Sequence, residues 1–202
     1  MKRRAFDGIL ATTGLIVTTV LLLAGVLLSW GGSFANDSIK SQLVAQKIFF
    51  PTTDAITAAN DPEITKYVTP YAGQQVVNGK QAQVFADHYI GVHLKAIAGG
   101  KTYSEVSGQY IGLSKTNPND PGLAALATQR QSLFMGETLR GLLLNAYAFG
   151  KVASIAVIGA VVAFALAGVM LLLSLLGFWH LRRVPVDQEV ASHKRAHKLA
   201  HA

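Results

Sequence analysis

Charge falls along this chain in blocks. Gly8 to Trp30, 23 residues, and Val152 to Trp179, 28 residues, contain no Asp, Glu, Lys, Arg or His. A helix that crosses a bilayer needs about 20 mostly apolar residues. A buried core helix rarely runs so long without a charge, so both segments predict transmembrane helices. The first is longer than the apolar region of a cleaved signal peptide, about 7–15 residues. It follows Lys2, Arg3 and Arg4, and Ser33-Phe34-Ala35 is a poor cleavage site, so it reads as an uncleaved signal anchor. The second is longer than a bilayer requires and predicts either a tilt or first turns standing above the membrane.

Between the spans the pattern is helical. The first span is expected to continue as a helix past the membrane surface; Gly31-Gly32 offers a break, with Ser33 or Asn36 able to cap a new helix there, and helical spacing follows at Ile39 and Leu43. Phe49-Phe50-Pro51 ends it, because the residue before proline disfavours helix. Residues 52–78 read as loop-rich. They include Asp61 as an N-cap, Pro62 at the first helical position, a short helix to Val68, and an extended piece at Gln74–Val77. Phe85, Tyr89, Val92 and Ala96 give one helix from Lys80 to Ala98 a single apolar side, and Gly99-Gly100 stops it. Thr102 and Glu105 have capping-box spacing, with Gly108 and Gly112 weakening the helix that follows. Asn117–Gly122 is the strongest turn signal. Asp120 caps, and Pro121 opens, a long helix with Leu123, Leu126, Leu133 and Leu139 that runs into the second span, with bends expected at Gly136 and Gly141. No strand-like alternation persists. The fold class is therefore all-α: two transmembrane helices flanking an extracytoplasmic helical domain. The segments are a cytoplasmic tail at 1–7, a span at 8–30, the outer domain at 31–151, a span at 152–179 and a basic cytoplasmic tail at 180–202.

Charge sets that orientation. The two tails hold eight basic and three acidic residues, the middle segment ten and eight over 121 positions, so both tails predict a cytoplasmic location. Most of the net +7 is thus a topology signal that also draws the tails to anionic lipid. No basic stripe interleaved with aromatics suggests nucleic acid. With no cysteine, disulfides, thiolate metal sites, iron–sulfur clusters and cysteine catalysis are excluded. About 120 residues suffice for one packed core.

Candidate chemistry is sparse. His88 and His93 are five apart, on different sides of a helix, and do not make a ligand pair. His193, His197 and His201 would share one stripe if the tail were helical. That stripe reads as a metal site, an interfacial basic helix with Lys194, Arg195 and Lys198, or a solvated tail. Gly99-Gly100-Lys101-Thr102 lacks the upstream glycine of a phosphate loop. There is no nucleophile elbow and no paired carboxylate. The expectation is a non-enzymatic protein without cofactor or metal. Neither span carries an ionisable residue of the kind that marks ion pathways. The spans do carry small residues: Gly159, Ala163 and Ala167 at spacings of four with Gly168 beside them, and Gly14 and Thr18 in the first. Such stripes let helices approach closely, within this chain or to another protein. Glu137 and Arg140, three apart, are candidates for a surface ion pair or contact.

Three stretches, Gln46–Pro51, Gly100–Val106 and Gly136–Leu144 with Tyr147-Ala148-Phe149, together with the two spans, resemble a group of uncharacterised actinobacterial two-span membrane proteins. The resemblance runs from the first span to the end of the second. It implies plasma-membrane residence, and since the group has no established activity it implies no catalytic residue. Two functions are then expected. One is an accessory or scaffold subunit of a larger membrane assembly, with membrane lipids and other integral membrane subunits as partners. The alternative is an extracytoplasmic sensor or lipid- or small-molecule-binding protein, its pocket lined by Tyr67, Tyr71, Phe85, Tyr89, Tyr103 and Tyr110, which otherwise form core.

Overall fold

A computed structural model describes residues 3–183 and 185. The chain divides into two compact units, one of Met1–Gly32 with Ile155–Ala202 and one of Ser33–Ser154. The described residues are helical, with one isolated antiparallel bridge between Phe49 and Gln75.

The first unit pairs the N-terminal part of α1 (Arg3–Gln46) with the C-terminal part of α7 (Leu123–Leu181), the two helices long and apolar enough to cross a membrane. They run antiparallel in constant register. A Cβ on Gly8 would meet Leu181, one on Gly177 would meet Ala11 at 3.2 Å, and Gly14 packs against Ser174. Gly25 takes the Phe164 ring, which lies 2.7 Å from the place of its missing Cβ. The buried positions are small: Ala11 and Thr18 on α1, Ala160, Ala163, Ala167 and Ser174 on α7. Leucines, isoleucines and valines point outward. Hydroxyls inside the pair donate back along their own helix, Thr18 to the Gly14 carbonyl and Ser174 to that of Met170, each at 2.8 Å. They therefore leave no polar hydrogen unmatched in apolar surroundings. Trp30 and Trp179 are both mostly exposed. Since Gly177 faces Ala11, Trp179 lies level with Ile9, and from Ile9 to Trp30 is 21 residues of helix, about 31 Å at about 1.5 Å per residue.

Helix α1 continues past the apolar run to Gln46, as expected, and the break offered by Gly31-Gly32 is not used. Each glycine costs about 1 kcal/mol in a helix. A break there would instead leave several N–H and C=O groups without intrahelical partners. The helix ends where Lys47 turns left-handed at φ 52, and Gln75 donates its side-chain amide to the Val44 carbonyl at 2.9 Å.

The second unit wraps short helices on α1 and α7. The segment read as loop contains α2 (Thr53–Ala59), held by Thr52 as N-cap and left-handed Asn60 as C-cap. A single apolar anchor, Ile56, leaves too little periodicity to reveal it. Asp61 caps α3 (Pro62–Val68) as expected, accepting from the Glu63 and Ile64 N–H groups at 2.8 and 3.0 Å. Gln74–Val77 is indeed extended: Phe50 donates to the Gln74 carbonyl and Val76 to that of Ile48, both at 2.9 Å. The helix expected over Lys80–Ala98 is present but interrupted. It comprises α4 (Gly79–Phe85), a π turn over Ala86–Ile90, and α5 (Gly91–Ala98), stopped by left-handed Gly99. Thr102 and Glu105 form the capping box of α6 (Tyr103–Thr116), which passes through Gly108 and Gly112. Thr102 gives Glu105 its backbone N–H and then its hydroxyl, which holds the carboxyl below its usual value of 4.5. Asp120 accepts from Gly122 at 2.8 Å, so Pro121 stays in the turn and α7 opens at Leu123. α7 is unbroken at Gly136 and Gly141. Gly136 instead makes room for Leu94.

Two cores result. The larger gathers Leu43, Phe50, Ile56, Ile64, Val68, Val76, Phe85 and Leu143. The smaller gathers Leu94, Ala98, Val106 and Leu133. Each large side chain so buried contributes about 1.5–3 kcal/mol.

Candidate functional site

The π turn lies in the second unit. In it the Gly91 N–H reaches the Ala86 carbonyl, five residues back. A Cβ on Gly91 would sit 3.4 Å from that carbonyl oxygen and 3.5 Å from Arg140 Nε, at ordinary contact distance. Beside it lies Arg140 of α7. Its Nε donates to the same Ala86 carbonyl at 3.0 Å, one terminal nitrogen to Asp87 at 3.3 Å, and the other to Glu137 at 2.8 Å. The Glu137–Arg140 pair read from sequence spacing is therefore one arm of a larger device that ties α7 to the π turn. Asp87 and Ala86, its other members, carry no signal along the sequence, because they meet Arg140 across 53 and 54 residues.

The next residue of the turn faces elsewhere. His88 Nδ1 lies 3.0 Å from Glu63 Oε1 of α3, and its ring stacks on Tyr67 at 3.8 Å between centroids. His93 Nδ1 lies 2.7 Å from the Tyr89 carbonyl. The two histidines thus have separate partners. Among the described residues no group of three or more His, Asp or Glu is placed to hold a metal ion. His193, His197 and His201 lie outside the described residues.

The aromatic candidates for a pocket fall into three places. Phe50, Tyr71, Phe85 and Tyr89 stack in the larger core, with centroids 4.9–5.3 Å apart. Tyr67 belongs to His88. Tyr103 and Tyr110 flank the Arg130 guanidinium at 6.0 and 5.2 Å.

The small-residue stripe is used inside the first unit. Ala163 and Ala167 are buried there, with Ala160 and Ser174 completing the seam. A Cβ on Gly159 would meet Leu28 at 3.4 Å, while Gly168 has open space where a side chain would be. The seven-residue spacing of Ala160, Ala167 and Ser174 is that of helices packed knobs-into-holes.

One surface was not anticipated. In the second unit Leu133, Gly136, Arg140 and Leu143 of α7 face α4, α5 and the cores. The other side carries Met135, Leu142 and Phe149 at intervals of seven, with Leu139 between and Val152 beside them, all but Leu139 more than half exposed. Single exposed apolar residues are ordinary, but a row at coiled-coil spacing is not. Its signal in the sequence is the heptad spacing itself, hidden because buried Leu133 and Leu143 are interleaved with it. Comparison with family models, curated proteins and solved structures finds no match to this chain.

Proposed function

We propose that this chain is a non-enzymatic accessory or scaffold subunit of a larger plasma-membrane assembly, with both termini cytoplasmic and residues 31–151 outside. Insertion is supported by the distance of about 31 Å between the levels of the two tryptophans, which matches a hydrocarbon core of about 30 Å bounded by aromatic residues. The excess of Lys and Arg in the two tails supports the orientation.

The observation that carries the subunit reading is the exposed row Met135, Leu139, Leu142 and Phe149. It lies on the helix that continues as the second span, so its complement is an apolar helix that also leaves the membrane. Another integral membrane protein fits this better than a soluble ligand does. The scatter of the aromatic candidates over three places, with Tyr71, Phe85 and Tyr89 packed in the larger core, favours this reading over a sensor.

The test is a pull-down of the tagged native protein in mild detergent, followed by native-gel sizing and mass spectrometry. A stoichiometric membrane partner is expected, lost on Leu142→Glu with Phe149→Glu while insertion persists. A lone monomer, or a complex indifferent to both substitutions, would sink the proposal.

A further inference from the structure

The outer unit holds a cleft of about 270 Å³ where the start of α4 crosses α7 and α1. The crossing is backbone on backbone. A Cβ at Gly79 would stand 3.0 Å from the Ala146 carbonyl oxygen, and one at Gly150 would stand 3.5 Å from the Gly79 Cα. That close approach leaves polar side chains around the rim: Asn36 from α1, Asn78 and Lys80 from α4 and its cap, Lys151 and Ser154 from α7. An adjoining cleft of about 320 Å³ shares Asn36 and Asn78 and adds Asp37 and Lys40. Three lysines and one aspartate leave the two clefts a net charge of +2.

The cations are available. Lys80 donates to Gln83 at 3.1 Å and Lys151 lies 5.6 Å over the Tyr147 ring. The ion pairs among the described residues involve only His88, Glu63, Arg140, Asp87 and Glu137. Donors are available too. Asn78 accepts from the Gln81 N–H through its side-chain oxygen, which leaves its amide hydrogens to give. Ser154 has its hydroxyl committed to the Gly150 carbonyl and contributes none. Along the chain Asn36 and Lys151 stand near the edges of the apolar runs. Lys151 immediately precedes the second run, and Asn36 follows Trp30 by six residues, about 9 Å of helix. The headgroup layer adds about 5–7.5 Å to each side of the hydrocarbon core, so the cleft borders that layer, within the length of a lysine side chain.

We infer that this cleft binds a phosphate ester, that of an anionic phospholipid headgroup in the outer leaflet, with Lys80 and Lys151 supplying charge and Asn36 and Asn78 supplying donors. The inference rests on the proposed insertion with residues 31–151 outside, and not on the subunit role. The full chain in mild detergent is titrated with phosphatidylglycerol, phosphatidylcholine and inorganic phosphate, and bound species are counted by native mass spectrometry. Phosphatidylglycerol binds in preference to phosphatidylcholine. Lys80→Gln and Lys151→Gln each weaken it about fivefold, the equivalent of about 1 kcal/mol per cation at a membrane surface. The control pair Lys95→Gln and Lys101→Gln leaves it unchanged. Equal retention by the cleft variants, or equal binding of phosphatidylcholine, overturns the site. Displacement of the lipid by inorganic phosphate at matching concentration overturns the lipid as the source. Extraction of the chain by alkaline carbonate overturns insertion itself, whereas an embedded chain indifferent to headgroup overturns the cleft alone. Both lysines are exposed, so the variants keep the tyrosine near-ultraviolet dichroism of a folded outer unit.

Discussion

Replacing Arg140 with methionine keeps an unbranched apolar stem and removes three hydrogen bonds, to the Ala86 carbonyl, Asp87 and Glu137. The bond to Ala86 is charge-assisted and half-buried, and such bonds contribute about 1.5–3 kcal/mol. The carboxylates are about one-third and nearly half exposed, so each adds only about 0.2–1 kcal/mol. The loss is therefore about 2–5 kcal/mol, most of it from the π turn. For a chain of this size about 1 kcal/mol moves the melting temperature about 2–4 °C, so Arg140→Met should melt about 4–20 °C lower. The residues themselves offer the assay. All six tyrosines lie in the second unit and both tryptophans in the first. Tyrosine dichroism therefore follows the second unit while tryptophan emission follows the first. Only the tyrosine signal should shift. Hydrogen exchange at 86–91 should quicken, because those amides lose the side chain that fixes their turn. Asp87→Asn and Glu137→Gln should each cost about 1 kcal/mol or less. A melting temperature within about 2 °C of wild type, or unaltered exchange at 86–91, would refute the assignment of Arg140 as the tie between α7 and the π turn.

Other perturbations separate the two units further. Gly25→Leu drives a side chain into the Phe164 ring. It should destabilise the helix pair of the first unit by about 1–3 kcal/mol, seen in tryptophan emission with tyrosine dichroism retained. Gly79→Ala meets backbone at 3.0 Å rather than a side chain that can move, so the second unit should lose a similar amount and melt early in the tyrosine signal. Glu105 has a carboxyl held below 4.5 by hydrogen bonds from Thr102, so its contribution is present above that pH and lost as pH falls through the lowered value. Between pH 5 and 3 the wild type should lose more melting temperature than Glu105→Gln, and parallel curves would remove the capping box as the cause.

The sequence alone was enough for the features whose cause is local. Two uncharged runs marked the long apolar helices, because nothing but length and composition is needed for them. Asp61-Pro62, the Thr102–Glu105 box and Gly99-Gly100 marked helix ends, since a cap bonds to groups two to four residues away. The i,i+3 ion pair of Glu137 and Arg140 was legible for the same reason. Tertiary structure decided the rest. Helix α1 runs through two glycines, against their propensity, as part of an unbroken helix of 44 residues. The π turn is bonded by a guanidinium from 54 residues along the chain, at the Ala86 carbonyl. The same small-residue spacing on α7 serves intrachain packing at Ala163 and Ala167 and leaves Gly168 facing outward, a distinction that only the position of α1 can draw. Lys80 and Lys151 become neighbours of one cleft because Gly79 lets two backbones meet. Contacts across many tens of residues leave no periodicity behind, so the chain order of residues carries their chemistry but not their company.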